Sequence, residues 1–201
     1  MPFDPLIRTS IAQVADDELV ERTIAGDSNA FEELVRRHGA AVYRAALAAL
    51  RSPPDAEDVM QDTFVLAFEK LRSFRRESSF KTWLLTIAWR RALRRRGNLA
   101  RRVRRFLQTD NDFALVSAHE PSVEQNLIAG ERYRDVRRLV RALPARLRDP
   151  LLLAATGAHS YEELSDILGI PTGTVKWRIS EARRLLRAKL ARLAAAGAPG
   201  V

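Results

Sequence analysis

The sequence contains no cysteine, which excludes disulfide bonds, thiolate zinc sites and cysteine nucleophiles. No apolar run approaches the roughly 18 residues that a membrane-spanning helix needs. The N-terminal stretch MPFDPLIRTSIAQVADDELV lacks the basic segment and long apolar core of a signal peptide. These absences predict a soluble, cytoplasmic protein with no direct membrane insertion.

Glycine and proline are also scarce, with nine of each among 201 residues. Ala, Leu, Arg and Glu dominate, runs of β-branched residues are absent, and apolar residues recur at helical spacing. The fold class predicted is therefore all-α. In the first half, the pattern predicts helices over about 16–25, 28–51, 53–71 and 79–96.

The periodicity divides the chain into two small helical domains joined by a flexible linker. The pattern holds over 16–97, dissolves after Gly97, and returns near Ser122. The segment QTDNDFALVSAHEPS has no sustained period, so we expect a linker over 98–122 and a second domain over 123–196.

The charge of the chain is strongly positive, with a formal net charge of +9 carried almost entirely by arginine. Arginine forms bidentate hydrogen bonds to phosphate, which favours a nucleic-acid ligand, although ordinary arginine-rich helix surfaces would give the same composition. Residues 90–105 hold many arginines and no acid. Trp89 precedes this run, and we expect it to be exposed, beside cations that suit single-stranded nucleic acid.

The segment SYEELSDILGIPTGTVKWRISEARRLLRAKL has the pattern of a helix-turn-helix. Gly169 stands where the short first helix ends, because glycine accepts a left-handed backbone there. The second helix carries an apolar stripe and, one residue on, a polar and basic row; these are Val175, Ile179, Ala182 and Leu186, and Lys176, Ser180, Arg183 and Arg187. An ordinary helical hairpin with a solvated basic face is the alternative.

An acidic cluster, PDAEDVMQDTF, begins the third predicted helix. Asp55, Glu57 and Asp58 can be explained by the helix dipole, which acids in the first turn stabilise. Asp62 lies further along, so the cluster also suggests a docking face for a basic protein partner.

Two blocks of the sequence resemble one family. DAEDVMQDTFVLAFEKLRSFRRESSFKTWLLTIAWRRAL resembles domain two of an extracytoplasmic-function (ECF) sigma factor of the sigma-70 family, and ALPARLRDPLLLAATGAHSYEELSDILGIPTGTVKWRISEARRLLRAKL resembles domain four. The resemblance implies two partners, core RNA polymerase and promoter DNA. It also suggests an anti-sigma factor, because many members of the family are held inactive by one.

The resemblance implies three groups of site residues. The residues implied to dock on the largest polymerase subunit are Asp55, Asp58, Gln61 and Asp62. Those implied to bind the melted minus-ten element, including capture of a flipped base, are Phe74, Arg75, Arg76, Ser78, Trp89, Arg90 and Arg94. Those implied to read the minus-thirty-five element are Thr172, Thr174, Lys176, Trp177, Arg178, Ser180 and Arg183. The linker acids Asp110, Asp112 and Glu120 would run near the RNA path.

Four positions depart from the family pattern. Arg90 and Arg94 stand where Asn and Asp are usual, which raises non-specific affinity for phosphate. Trp177 replaces a small serine, and Glu181 stands where arginine is common. Because a glutamate accepts from cytosine but repels phosphate, the promoter sequence cannot be predicted by analogy.

Other functions explain less of the sequence. A stand-alone helix-turn-helix regulator accounts for 160–190 but not for the acidic helix, and an RNA-binding protein accounts only for the arginine run. An enzyme is disfavoured because the three histidines have no metal-ligand spacing and no phosphate loop or nucleophile elbow is present. We therefore expect no catalytic residues, metal, cofactor or small-molecule substrate.

Overall fold

The computed structural model describes residues 13–109, 127–157 and 159–196. The chain divides into two compact units, Met1–Asn111 and Asp112–Val201. Within the described ranges all regular secondary structure is helical and no strand occurs. The predicted fold class, all-α with two helical units, is confirmed.

Among its described residues, 13–109, the first unit contains four α-helices and one short 3-10 turn. They are α1 (Asp16–Ile24), α2 (Ser28–Leu50), α3 (Pro53–Lys70), the 3-10 turn Leu71–Ser73, and α4 (Phe80–Thr109). Local sequence sets the helix starts: the Asp27 carboxylate accepts from two backbone N–H groups of α2, and Ser52 caps α3 before two prolines.

The core of the first unit lies where α2 packs against α3 and α4. Small side chains at the helix contacts let the backbones approach closely, and large apolar side chains fill the remaining space. The small residues include Ala45, Ala46, Ala56, Ala67, Ala88 and Ala92, and the large ones include Leu34, Phe80, Leu84, Leu85 and Trp89. Full burial of one such large side chain contributes about 1.5–3 kcal/mol.

A partly buried polar cluster joins α1 to α2. Glu33 accepts hydrogen bonds from Arg36 and Arg37, at 2.6–2.7 Å, and Arg37 also reaches Asp16 at 2.9 Å. The ring of His38 lies 2.7 Å from the other oxygen of Asp16. Hydrogen bonds from the two guanidinium groups, Arg36 first, outweigh burial and lower the pKa of Glu33 from 4.5 to about 2. Glu33 therefore stays charged across the physiological range.

Helix α4 is longer than the sequence analysis predicts. It continues to Thr109, whereas the expected end was near Arg96. A glycine inside a helix costs only about 1 kcal/mol, and the Leu, Ala and Arg residues after Gly97 are strong helix formers. Helix propensity thus continues α4 past Gly97, into the segment where we expected the linker to begin.

The expectation that Trp89 is exposed is wrong. Its side chain is 1% exposed and lies in the core of the first unit. Leu85, Trp89 and Ala92 form a second buried stripe beside that of Phe80, Leu84 and Ala88, because α4 packs against α2 and α3 together. A helix covered by two neighbours buries a wider face than a single stripe.

The second unit also contains four α-helices among its described residues. They are α5 (Leu127–Arg141), α6 (Ala145–Ala154), α7 (Tyr161–Leu168) and α8 (Thr172–Ala196). Leu143, Leu147 and Ala182 form a buried cluster against which Leu151, Leu185 and Leu186 pack. This cluster fixes the basic helix α8 to the rest of the unit. The linker acids Asp110, Asp112 and Glu120 lie outside the described residues.

Candidate nucleic-acid and protein interfaces

The turn between α7 and α8 is held by local hydrogen bonds. Ser160 and Glu163 form a reciprocal capping box at the start of α7, with distances of 2.8 and 3.0 Å. Gly169 ends α7 with a left-handed φ of 66°. The hydroxyl of Ser165 donates to the carbonyl of Ile170 at 2.6 Å, which fixes the chain as it leaves the turn.

Helix α8 presents its buried and exposed faces as predicted. Val175, Ile179 and Ala182 are fully buried, and Leu164 and Ile167 of α7 are buried in the same unit. The neighbouring row faces outward, with every member exposed: Lys176, Ser180, Arg183 and Arg187. The arrangement therefore presents cations and a hydroxyl on a helix whose opposite side is anchored.

The other residues predicted on α8 differ in accessibility. Thr172, Thr174 and Arg178 are half-buried, whereas Trp177 is 58% exposed. The ammonium of Lys176 lies 5.4 Å from the centre of the Tyr161 ring, which orients it through a cation–π contact. Trp177 is thus a large apolar side chain on the outward face.

Glu181 is neutralised by a neighbour on its own helix. Its carboxylate accepts two hydrogen bonds from Arg184, at 2.7 and 2.8 Å. This interaction lowers the pKa of the Glu181 carboxyl below its ordinary value. The repulsion of phosphate expected from Glu181 is reduced, because the charge is paired within one turn of the helix. The i, i+3 spacing of the two residues is a signal that the sequence analysis missed.

The loop before α4 is anchored at both ends and open at its tip. The half-buried Phe74 ring lies 5.9 Å from Phe80 and 5.1 Å from Trp83, centre to centre. At the other end, Ser79 Oγ accepts from the backbone N–H of Thr82 at 3.1 Å. The aromatic contacts and this cap hold the two ends of the loop in place.

The tip of the loop holds three of the predicted minus-ten residues. Arg75 is exposed and Ser78 is half-buried. Arg76 has a left-handed φ of 57° and donates to Glu21 of α1 at 2.8 Å. The structure therefore brings Arg75, Arg76 and Ser78 together on one short exposed segment.

On α4, Arg90 and Arg94 are exposed one turn apart, beside the buried Trp89. The indole N–H of Trp89 has no hydrogen-bond partner within the described part of the chain. A buried ring cannot stack on a nucleic-acid base without rearrangement, so the structure separates Trp89 from the other predicted minus-ten residues.

Asp55, Asp58, Gln61 and Asp62 lie along α3 and are here called the acidic surface. Gln61, Asp58 and Asp62 are exposed, and Asp55 is half-buried. Val65 and Phe68, further along α3, are exposed apolar side chains. The structure therefore brings the four predicted docking residues together on one helix.

The acidic surface is paired with arginines of α4. Arg95 donates to Asp55 Oδ1 at 2.7 Å and to Asp58 Oδ2 at 2.8 Å. Arg91 donates to Asp62 Oδ2 at 3.0 Å. The hydroxyl of Ser52 and then the Arg95 guanidinium hold the pKa of the Asp55 carboxyl below its ordinary value, against the effect of burial. Sequence reasoning missed these pairs, because they depend on how two helices pack.

Within residues 13–109, 127–157 and 159–196, no group of three or more acidic or histidine side chains is arranged to hold a metal ion. No helix there is both long and apolar enough to cross a membrane.

Comparison with known proteins identifies the family. The family model for Sigma-70 region 2 matches residues 34–106, and the model for Sigma-70, region 4 matches residues 133–186. The ECF RNA polymerase sigma-E factor of Escherichia coli K12 is 35% identical over 188 residues, covering 89% of this chain and 95% of that protein. The chain is an ECF sigma factor of the sigma-70 family.

Other relatives agree with this assignment. The RNA polymerase sigma-H factor of Pseudomonas aeruginosa is 31% identical over 186 residues, covering 88% of this ECF sigma factor and 94% of the relative. Among solved structures, CnrH in complex with the cytosolic domain of CnrY matches with a TM-score of 0.63 and 28% identity, over 89% of this chain and 99% of that one.

A second solved structure is the sigma factor RpoE in complex with the anti-sigma factor NepR from Bartonella quintana. It matches with a TM-score of 0.60 and 28% identity, over 80% of this chain and 96% of that one. ECF sigma factors bind core RNA polymerase and direct transcription initiation at promoters, and the chain has this function. A stand-alone helix-turn-helix regulator is not favoured, because the match extends over both units.

Proposed function

We propose that this ECF sigma factor binds polymerase and promoter DNA through two surfaces of opposite charge. The acidic surface of α3 docks on the largest subunit of core RNA polymerase, and the exposed row of α8 reads the minus-thirty-five element. The observation that carries this proposal is the position of each charged set on an anchored helix. A buried stripe holds α8, and the α2–α3–α4 core holds the acidic surface.

Reading of the minus-thirty-five element rests on the exposed residues of α8. Lys176 and Arg183 are cations suited to guanine edges and phosphates, and Ser180 can donate or accept. The exposed ring of Trp177 suits the methyl group of thymine. Thr172, Thr174 and Arg178 are half-buried at the start of α8, where they can contact the phosphate backbone.

Binding of the minus-ten element rests on the tip of the loop before α4. Arg75, Arg76 and Ser78 would hold the melted strand, with Arg90 and Arg94 on the phosphates and Phe74 at the base of the loop. The positive charge of this region suits single-stranded DNA. Trp89 is left out of this proposal, because its ring is buried.

Catalysis belongs to the polymerase in this proposal, and the sigma factor acts in the bacterial cytoplasm without enzymatic activity of its own. An anti-sigma factor is a further proposed partner. The support comes from the relative RpoE, whose solved structure is a complex with the anti-sigma factor NepR.

Co-elution with bacterial core RNA polymerase on a sizing column tests the docking surface. The wild-type protein should co-elute, and the variant Asp58→Arg/Asp62→Arg should not, because charge reversal replaces attraction with repulsion. The matched control is Glu18→Arg/Glu32→Arg, which reverses two exposed acids of α1 and α2 outside the acidic surface. Equal loss in both variants would contradict docking through α3.

A further inference from the structure

Four arginines in the middle of α4 fall into two rows. Arg90 and Arg94 are exposed, and neither forms an ion pair with any residue that the structure describes. Arg91 and Arg95 lie one position further round the helix and are paired with Asp62, Asp55 and Asp58 of α3. This part of α4 therefore presents Arg90 and Arg94 to solvent and holds Arg91 and Arg95 in ion pairs.

The acids that neutralise Arg91 and Arg95 are also those of the proposed docking surface. The side chains of Asp58 and Asp62 are 57% and 56% exposed, so a partner can reach them while they remain paired. A basic side chain from a partner would compete with the arginine for each carboxylate. Occupation of α3 by such a partner would change the charge that α4 presents.

We propose that Arg91 and Arg95 are phosphate-binding residues which the free protein keeps neutralised on α3, and which a basic partner docked on Asp58 and Asp62 releases. The partner is taken to be core RNA polymerase, so the proposal rests on the proposed function for that identity. Docking would then raise the affinity of the first unit for the DNA strand.

The strength of the pairs fits an exchange of this kind. All three pairs are partly exposed to water, because the side chains of Arg91 and Arg95 are 33% and 39% exposed. Ion pairs in such surroundings are weak and screened by salt, so another charge can displace them readily. Asp55 stays with Arg95 in either state, because it lies at the half-buried start of α3. Arg91 is therefore expected to be released more completely than Arg95.

The test measures binding of the full chain to a short fluorescent single-stranded oligonucleotide over a range of salt concentrations. The variant Asp58→Asn/Asp62→Asn removes two of the three acids that pair with Arg91 and Arg95, and it preserves the side-chain shape. Its affinity at low salt should rise about three- to tenfold over the wild type. The slope of log affinity against log salt should also steepen, by about 0.7 for each added phosphate contact.

A charge-matched control separates release of arginine from a general gain in positive charge. Glu32→Gln/Glu57→Gln changes the net charge by the same amount on α2 and α3. Both glutamates are exposed and neither forms an ion pair with a residue in the described part of the chain. This control should change the affinity less than the Asp58/Asp62 variant and leave the salt slope unchanged.

Double-mutant cycles then identify the arginines that carry the gain. Arg91→Gln should cost little affinity in the wild type and much more in the Asp58→Asn/Asp62→Asn background. Arg90→Gln, one residue away, should cost the same in both backgrounds, because Arg90 forms no ion pair with Asp58, Asp62 or any other residue that the structure describes. The single variant Asp62→Asn measures the part of the affinity gain that comes from Arg91. It keeps both acids that pair with Arg95, so it can replace the double variant if that variant folds poorly.

Two outcomes would overturn the proposal: an equal gain in the charge-matched control, or equal costs for Arg91→Gln in both backgrounds. These oligonucleotide measurements need no polymerase, whereas co-elution of the wild-type protein tests the proposed function separately. Release of Arg91 without co-elution would leave the ion-pair exchange supported and the partner wrong. Co-elution without release would leave the docking surface supported and the exchange wrong.

Discussion

The two arginine-rich helices of this protein, α4 and α8, use their positive charge differently. On α8 the cations Lys176, Arg183 and Arg187 face solvent on the side opposite a buried stripe. On α4, Arg91 and Arg95 are paired with acids of α3, whereas Arg90 and Arg94 are exposed. The number of arginines in a segment therefore does not measure the charge that the segment offers to a nucleic acid.

The two helices also place a tryptophan each in opposite surroundings. Trp89 of α4 is buried in a core of aromatic and aliphatic side chains, and Trp177 of α8 is exposed on the outward face. Burial makes the first a packing residue. Exposure leaves the second available to DNA.

The largest expected effect is on stability, and it separates the two tryptophans when each is exchanged for alanine. Trp89→Ala should lower the free energy of unfolding by about 3–5 kcal/mol, because it leaves a large cavity in the first unit. Trp177→Ala should change it by less than about 0.5 kcal/mol. Urea denaturation followed by circular dichroism measures both. Similar losses of stability in the two variants would contradict the conclusion that only Trp89 is a packing residue.

A smaller effect is expected on recognition of duplex DNA. Lys176→Ala should weaken binding of the polymerase complex to promoter DNA by about 1–3 kcal/mol, and binding to unrelated duplex by much less. Arg187→Ala, in the same exposed row but further from the start of α8, serves as the control and should weaken both duplexes alike. Equal losses on both duplexes for Lys176→Ala would mean that this lysine contacts only phosphate.

The partly buried polar cluster around Glu33 predicts a pH-dependent effect on the free energy of unfolding. Glu33→Gln should cost about 1–2 kcal/mol at neutral pH, because two guanidinium groups lose a charged acceptor. The folded-state pKa of Glu33 is lowered from 4.5 to about 2, so its contribution is present above about 4.5 and is lost as the pH falls towards 2. Urea denaturation at pH 7 and pH 3 should show the gap between wild type and variant narrowing. A gap that stays constant would contradict the ion-pair origin.

The smallest effect is expected at two glycines with different backbones. Gly97→Ala should stabilise the protein by about 0.5–1 kcal/mol, because Gly97 is helical and an added methyl group meets no atom within 4 Å. Gly169→Ala should destabilise it, since its φ of 66° disfavours a side chain. Thermal unfolding monitored by circular dichroism gives the sign of each change. A loss of stability in Gly97→Ala would show that α4 is strained at this position.

The α7–α8 part of the second unit could be predicted from the sequence, because its signals are local. The capping box of Ser160, the left-handed turn at Gly169 and the spacing of Val175, Ile179 and Ala182 all act within a few residues. Such short-range features fix both the turn and the buried face of α8. These local features are sufficient to place the exposed cations of α8 without knowledge of how the helices pack.

The sequence by itself determined where the helices of the first unit start, the two-unit division and the outward row of α8, since periodicity and capping are properties of neighbouring residues. Only the tertiary structure decided the burial of Trp89 and the pairing of Arg91 and Arg95 with α3. Arg91 and Asp62 are 29 residues apart, and no local rule relates them. The packing of α4 against α2 and α3 fixes which face of α4 is covered and which acids its arginines reach.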